Sequence, residues 1–124
     1  TDRVLSNGDV INKIGTYLKA LAAYDNKIPF YVALPGTTID MKNNKITSTM
    51  IEYRSSEELT HISGIDTKGN LKEVRIFPKD CNTLNPAFDI TPSKLITGLI
   101  TEKGVYDSST SGLLKYHNDE NKLN

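Results

Sequence analysis

Asn7-Gly8-Asp9-Val10-Ile11-Asn12-Lys13-Ile14-Gly15-Thr16 is the stretch on which the reading of this fold turns. Asn-Gly-Asp is turn chemistry, two residues that accept a left-handed backbone followed by a carboxylate. Beyond it Val10, Ile11, Ile14, Tyr17, Leu18, Leu21 and Ala22 recur at helical spacing. That spacing predicts a buried helical face from Asp9 to Tyr24, with Asp25-Asn26 as its stop. Asn12 and Lys13 then fall in the first helical turn, where backbone N–H groups lack partners and the helix dipole favours negative charge. An amide and an ammonium added there make a place to hold an anion. Spacing alone favours a plainer reading, two solvated first-turn side chains. The rest of the chain decides between them.

Working outward, Ile28-Pro29-Phe30-Tyr31-Val32-Ala33-Leu34 is a short apolar run, expected as a strand of parallel type covered on both faces. A helix followed by such a strand is half of a βαβ unit, whose missing first strand is expected just before Asp2. Pro35-Gly36 breaks the chain at the strand's C-terminal end, where open α/β sheets gather ligands, which marks Thr37, Thr38 and Asp40. A polar stretch runs from Met41 to Thr49. Ser55-Ser56-Glu57-Glu58 reads as a short helix start, Gly64 to Asn70 as a turn, and Lys72 to Phe77 as a strand. A second helix is expected between Thr91 and Gly104, with Thr91 as N-cap, Pro92 as first residue and Leu95, Ile96, Leu99 and Ile100 as its apolar face. Residues 1–106 form the expected domain and 107–124 a polar, mobile tail, with Leu113, Leu114 and Tyr116 as the residues that would dock it.

Composition narrows the classes. A chain of 124 residues is the size of one domain. Its formal net charge is zero and no basic run stands out, which argues against a nucleic-acid partner. One cysteine allows no internal disulfide, and no apolar run approaches a membrane span, so a cytoplasmic protein is expected. The sheet so built is small, opens at what looks like the tail of a strand, and leaves an unpaired edge that wants a partner.

Several blocks then fall in one order: Thr1-Asp2-Arg3-Val4, the Asn7–Thr16 stretch, Ile28-Pro29-Phe30-Tyr31-Val32-Ala33, Thr37-Thr38-Ile39-Asp40, Glu52-Tyr53-Arg54-Ser55-Ser56-Glu57-Glu58, and Asn85-Pro86-Ala87-Phe88-Asp89-Ile90-Thr91-Pro92 through Val105. Together they resemble the C-terminal part of the methylthioribose-1-phosphate isomerases, relatives of the alpha, beta and delta subunits of translation initiation factor 2B. The resemblance covers Thr1 to Tyr106. It implies an α/β fold with a partial Rossmann-like parallel sheet, lacking the family's N-terminal half. Asp2 matches the family's acid/base carboxylate; Asn12 and Lys13 match the pair that contacts the sugar phosphate. The implied reaction is isomerisation of 5-methylthioribose 1-phosphate to 5-methylthioribulose 1-phosphate in methionine salvage, with no cofactor and no metal. The implied partners are the missing N-terminal half and a second copy. Asn7-Gly8-Asp9 and Thr37-Thr38-Ile39-Asp40 favour this branch over the regulatory subunits and over ribose-1,5-bisphosphate isomerase.

The remaining candidates carry less. The family's catalytic cysteine lies in the N-terminal half, and Cys81 has no neighbouring histidine or helix start to activate it. His61 and His117 lack the spacing of zinc ligands. Asp89 is expected to fix the loop before Thr91-Pro92. Gly8, Gly15 and Gly36 do not spell a dinucleotide fingerprint.

Overall fold

β1 (Arg3–Leu5) is the hub of the structure, a computed structural model that describes residues 1–45, 47 and 50–121. It pairs antiparallel with β2 (Val10–Lys13) and parallel with β4 (Ile39–Asp40), and β2 pairs antiparallel with β7 (Phe88–Thr91), in the order β4-β1-β2-β7. A second sheet runs β3-β8-β9, with β3 (Tyr31–Ala33) parallel to β8 (Gly98–Thr101) and β8 antiparallel to β9 (Gly104–Tyr106). The two are tied where Leu34 N–H donates to Ile100 O at 2.9 Å and the Thr1 ammonium donates to Ala33 O at 3.2 Å. β5 (His61–Ile65) and β6 (Leu71–Arg75) form a separate hairpin after the one-turn α2 (Glu57–Thr60). The longer helices are α1 (Thr16–Asp25) and α3 (Thr110–Asn121). The α/β class holds, with parallel and antiparallel pairings in each of the two larger sheets. No helix among the described residues is long and apolar enough to cross a membrane.

Three expectations give way. The helix expected from Asp9 begins only at Thr16; Val10 to Lys13 is a strand, because β1 and β7 both offer it a ladder and Val10 and Ile11 suit a pleated surface. The helix expected over Thr91–Gly104 is absent: Thr91 ends β7, Ser93–Leu95 makes a single tight turn, and the rest is the β8–β9 hairpin. Ile96, Thr97, Ile100 and Thr101 are β-branched, and Gly98 interrupts any helix. The expected mobile tail instead carries α3, with Leu113 fully buried and Tyr116 4% exposed. Of the three docking residues only Leu114 faces solvent.

One further expectation shifts. β3 alternates, with Tyr31 exposed and Val32 and Leu34 buried, so only one face of the expected two-sided strand is covered here. β3 stands at the edge of its sheet, with β8 on one side only, so among the described residues an open edge lies beside it as expected. The short helix start, the Gly64–Asn70 turn and the Lys72–Phe77 strand appear as α2, the hairpin turn and β6. Of the expected polar stretch Met41–Thr49, residues 46, 48 and 49 lie outside the described residues, as do 122–124 of the tail.

The core explains why the ends of the chain belong together. Val4 and Val10 pack with Val32, Leu34, Leu99 and Leu113, so both sheets and α3 share one apolar centre. The Asn7–Asp9 turn closes over it: Asn7 Oδ1 accepts Asp9 N–H at 3.0 Å, and Asp9 Oδ1 accepts Ser93 N–H at 2.9 Å. Gly8, at φ 90°, lies so close to the other end of the chain that a Cβ there would stand 2.5 Å from the Ser108 carbonyl. Ser108 Oγ donates to Gly8 O at 2.7 Å.

Candidate functional site

Asp2 sits at the head of β1, exposed, with its N–H donating to Ile11 O at 3.2 Å. The Thr1 hydroxyl donates to the same oxygen at 2.8 Å, which fixes the chain as it enters the sheet. Beside Asp2 opens a cleft of about 480 Å³, bordered also by Arg3, Thr37, Thr38, Asp40 and Lys42. The structure therefore brings the acid/base candidate together with all three residues marked at the end of the apolar strand. The reason is topological: the Gly36–Thr38 turn carries the chain from β3 into β4, and β4 pairs with β1.

The cleft has a fixed negative group. Asp40 accepts from Asn43 Nδ2 at 2.8 Å and from the Lys42 and Asn43 amides, and it forms an ion pair with Arg3 at 3.4 Å. These contacts, the Asn43 side chain foremost, hold its carboxyl below the ordinary aspartate value against the opposing pull of desolvation. Asp40 is thus kept ionised by its own loop.

Asn12 and Lys13 lie at the end of β2 and do not line that cleft. Asn12 is half-buried, its Nδ2 donating to Thr16 Oγ1 at 3.2 Å, while the Thr16 hydroxyl donates to Lys13 O at 2.7 Å. Lys13 is exposed, its Nζ 5.7 Å from the centroid of the Phe88 ring that stands opposite it in the ladder. Neighbouring strand residues point to opposite faces, so the two side chains leave β2 in different directions. Asp2 abuts β2 at Ile11, next to Asn12, and this is the proximity the structure provides.

The anion expected at the helix N-terminus is present, and the chain supplies it. Asp89, opposite Asn12 on β7, accepts Gly15 N–H at 2.7 Å and Tyr17 N–H at 3.2 Å. A carboxylate on the first free N–H groups of a helix satisfies them and complements the dipole. The N-terminus of α1 is therefore a capped helix end, and Asn12 and Lys13 stand before it on β2 rather than in its first turn. A signal was available: α1 is preceded by Gly15, at φ 99°, which has no side chain to cap it. Such a helix must borrow its cap.

Cys81 is exposed, with Sγ 3.6 Å from Asn82 O. His61 Nδ1 lies 2.9 Å from Thr60 Oγ1. Among the described residues no three His, Cys, Asp or Glu side chains are grouped as metal ligands.

Sheet, turn and cleft together define an α/β domain that presents polar groups at strand ends, where small ligands bind in such folds. The chain belongs to the Initiation factor 2 subunit family, which its residues 1–108 match. It is 54% identical over 114 residues to the methylthioribose-1-phosphate isomerase of Methylocella silvestris, covering 91% of this chain and 31% of that protein. With the methylthioribose-1-phosphate isomerase of Gluconobacter oxydans it shares 50% over 123 residues, 98% of this chain and 33% of that protein. It spans about a third of the length of these curated relatives. Among solved structures, 5-methylthioribose 1-phosphate isomerase from Pyrococcus horikoshii OT3 matches with a TM-score of 0.76 and 40% identity, covering 94% of this chain and 30% of that one. Translation initiation factor eIF-2B subunit delta from A. fulgidus matches with a TM-score of 0.69 and 37% identity, over 93% and 32%.

Proposed function

We propose that this chain is the C-terminal, substrate-handling part of a cytoplasmic isomerase that converts 5-methylthioribose 1-phosphate to 5-methylthioribulose 1-phosphate in methionine salvage. The observation that carries it is identity of 50–54% with proteins of that name over nearly the whole chain. The reaction moves one hydrogen between adjacent carbons, oxidising a hydroxyl-bearing carbon to a ketone and reducing its neighbour. A carboxylate that gives and takes the hydroxyl and carbonyl protons is what it needs, and Asp2, open to the cleft, is assigned that role. Asn12 and Lys13 are assigned to the substrate phosphate, Asn12 as a held donor and Lys13 as a charge on a flexible stem. The partners of this reading are the N-terminal portion its relatives carry and a second copy of the protein.

The test is turnover. This chain, assembled with the N-terminal portion of a relative, is assayed with 5-methylthioribose 1-phosphate. Asp2→Asn lowers kcat by about 10²–10⁴-fold, and Lys13→Ala raises KM. Turnover that survives Asp2→Asn removes Asp2 from the chemistry. A folded assembly without turnover favours the second reading, a non-catalytic module like the initiation-factor subunit it resembles in fold.

A further inference from the structure

The turn that walls the Asp2 cleft is held from behind by the C-terminal helix, through one carboxylate. Glu102, in the β8–β9 turn, accepts Gly36 N–H through Oε2 at 3.0 Å and the Tyr116 hydroxyl through Oε1 at 2.8 Å. Tyr116 is itself fixed: the Tyr106 ring meets it edge-on at 5.4 Å between centroids, and Lys103 Nζ lies 4.5 Å from its own. The approach of Gly36 is as close as the chain permits, since a Cβ there would fall on the Tyr116 hydroxyl. Thr37, the next residue, borders both the Asp2 cleft and the recess formed with Glu102 and Tyr116, so the two hollows share one wall.

We infer that Tyr116, Glu102 and Gly36 form a positioning link, by which α3 fixes the Gly36–Thr38 turn as a wall of the Asp2 cleft and so sets substrate affinity. The inference rests on the reading of Asp2 as the group that acts on a sugar phosphate. Tyr116 is a positioning residue in this scheme. Its ring is buried on α3 and its hydroxyl is spent on Glu102, behind the turn rather than in the cleft. A wall held in place before substrate arrives keeps most molecules competent to bind. Loosening it multiplies the apparent affinity by the fraction that remains competent, while the complex, once formed, is the same. The signature is a change in KM with kcat preserved.

Tyr116→Phe removes the hydroxyl and keeps the ring. In hydrogen exchange on the chain itself, the Gly36 amide of this variant exchanges about tenfold faster, while the Val4 and Val10 amides keep their protection. In the assembled enzyme its KM for 5-methylthioribose 1-phosphate rises about fivefold with kcat within about twofold. Gly36→Ala perturbs the same contact from the turn and gives the same split. Unchanged Gly36 exchange overturns the link, and faster exchange with unchanged KM overturns its bearing on substrate. If Tyr116→Phe exposes Val4 and Val10, Glu102→Gln, which keeps one acceptor, replaces it; it must speed Gly36 exchange and raise KM, or the inference fails. Wild-type assembly without turnover sinks the isomerase reading instead, and Gly36 exchange still decides the link.

Discussion

Asp89 and Gly15 meet across 74 residues of chain, the carboxylate of the first accepting the N–H of the second at 2.7 Å. That contact fastens the start of α1 to β7 and, through the Thr16 hydroxyl, steadies the backbone that presents Asn12 and Lys13. Removing it with Asp89→Ala costs about 1–2 kcal/mol, the usual worth of a helix cap. Asp89→Asn keeps one acceptor and loses the charge, for about 0.5–1 kcal/mol. Urea midpoints check both; equal midpoints for all three proteins would show that α1 needs no cap.

Two glycines with left-handed backbones separate strain from crowding. Gly69, at φ 82°, has open space where a Cβ would go, so Gly69→Ala costs about 1–2 kcal/mol from backbone conformation alone. Gly8→Ala adds a collision with the Ser108 backbone and costs at least about 3 kcal/mol. Thermal midpoints of the pair, measured side by side, test the difference. A Gly8→Ala protein as stable as Gly69→Ala contradicts the close approach.

The C-terminal helix is part of the core. Leu113 is fully buried against Val4 and Val10, and Leu113→Ala costs about 2–4 kcal/mol. Leu114, half exposed, is the control, with an effect of Leu114→Ala within about 0.5 kcal/mol. Similar denaturation curves for the two variants would return α3 to the status of a loose appendage.

Stability falls in acid by a route that can be assigned. The Tyr116 hydroxyl first, then backbone N–H groups including that of Gly36, hold the Glu102 carboxyl below the ordinary glutamate value. A folded-state pKa below the unfolded one gives stability that is complete above the unfolded value and is lost as pH falls through the folded one. Asp40 shifts in the same direction, through Asn43 above all. The thermal midpoint therefore declines between about pH 5 and pH 3. Glu102→Gln flattens that decline, and curves that stay parallel for the two proteins would show that Glu102 plays no part in it.

Local patterns made part of this fold legible. Ile28 to Leu34 is apolar and breaks at Pro35-Gly36, so β3 and the turn after it were evident without the structure, and with them the cleft residues Thr37, Thr38 and Asp40. Thr16 to Tyr24 was legible as helix. Val10 to Lys13 was not, because Val10, Ile11 and Ile14 fit a helical face as well as a strand. What decides is pairing with Phe88–Thr91, a partner far along the chain that no local window contains. Leu95, Ile96, Leu99 and Ile100 misled in the same way. α3 was hidden by its polarity, since only Leu113 and Tyr116 of its described residues carry large side chains into the interior. The site divides along the same line. Asp2 and the strand-end residues follow from order along the chain, whereas the Asp89 cap and the Tyr116–Glu102 contact exist only in three dimensions.

Gly8 and Ser108 are 100 residues apart, and their buried contact sets a schedule for the growing chain. At a synthesis rate of roughly 5–20 residues per second, the first hairpin leaves the ribosome on the order of 5–20 s before the segment that covers it. For most of that interval β2 lacks β7 beside it, and throughout it Val4 and Val10 lack Leu113 above them. The hairpin that carries Asp2 and Asn12 is thus among the first parts of this unit to be made and among the last to be buried. During that time its apolar residues Val4 and Val10 are without the cover that α3 gives them.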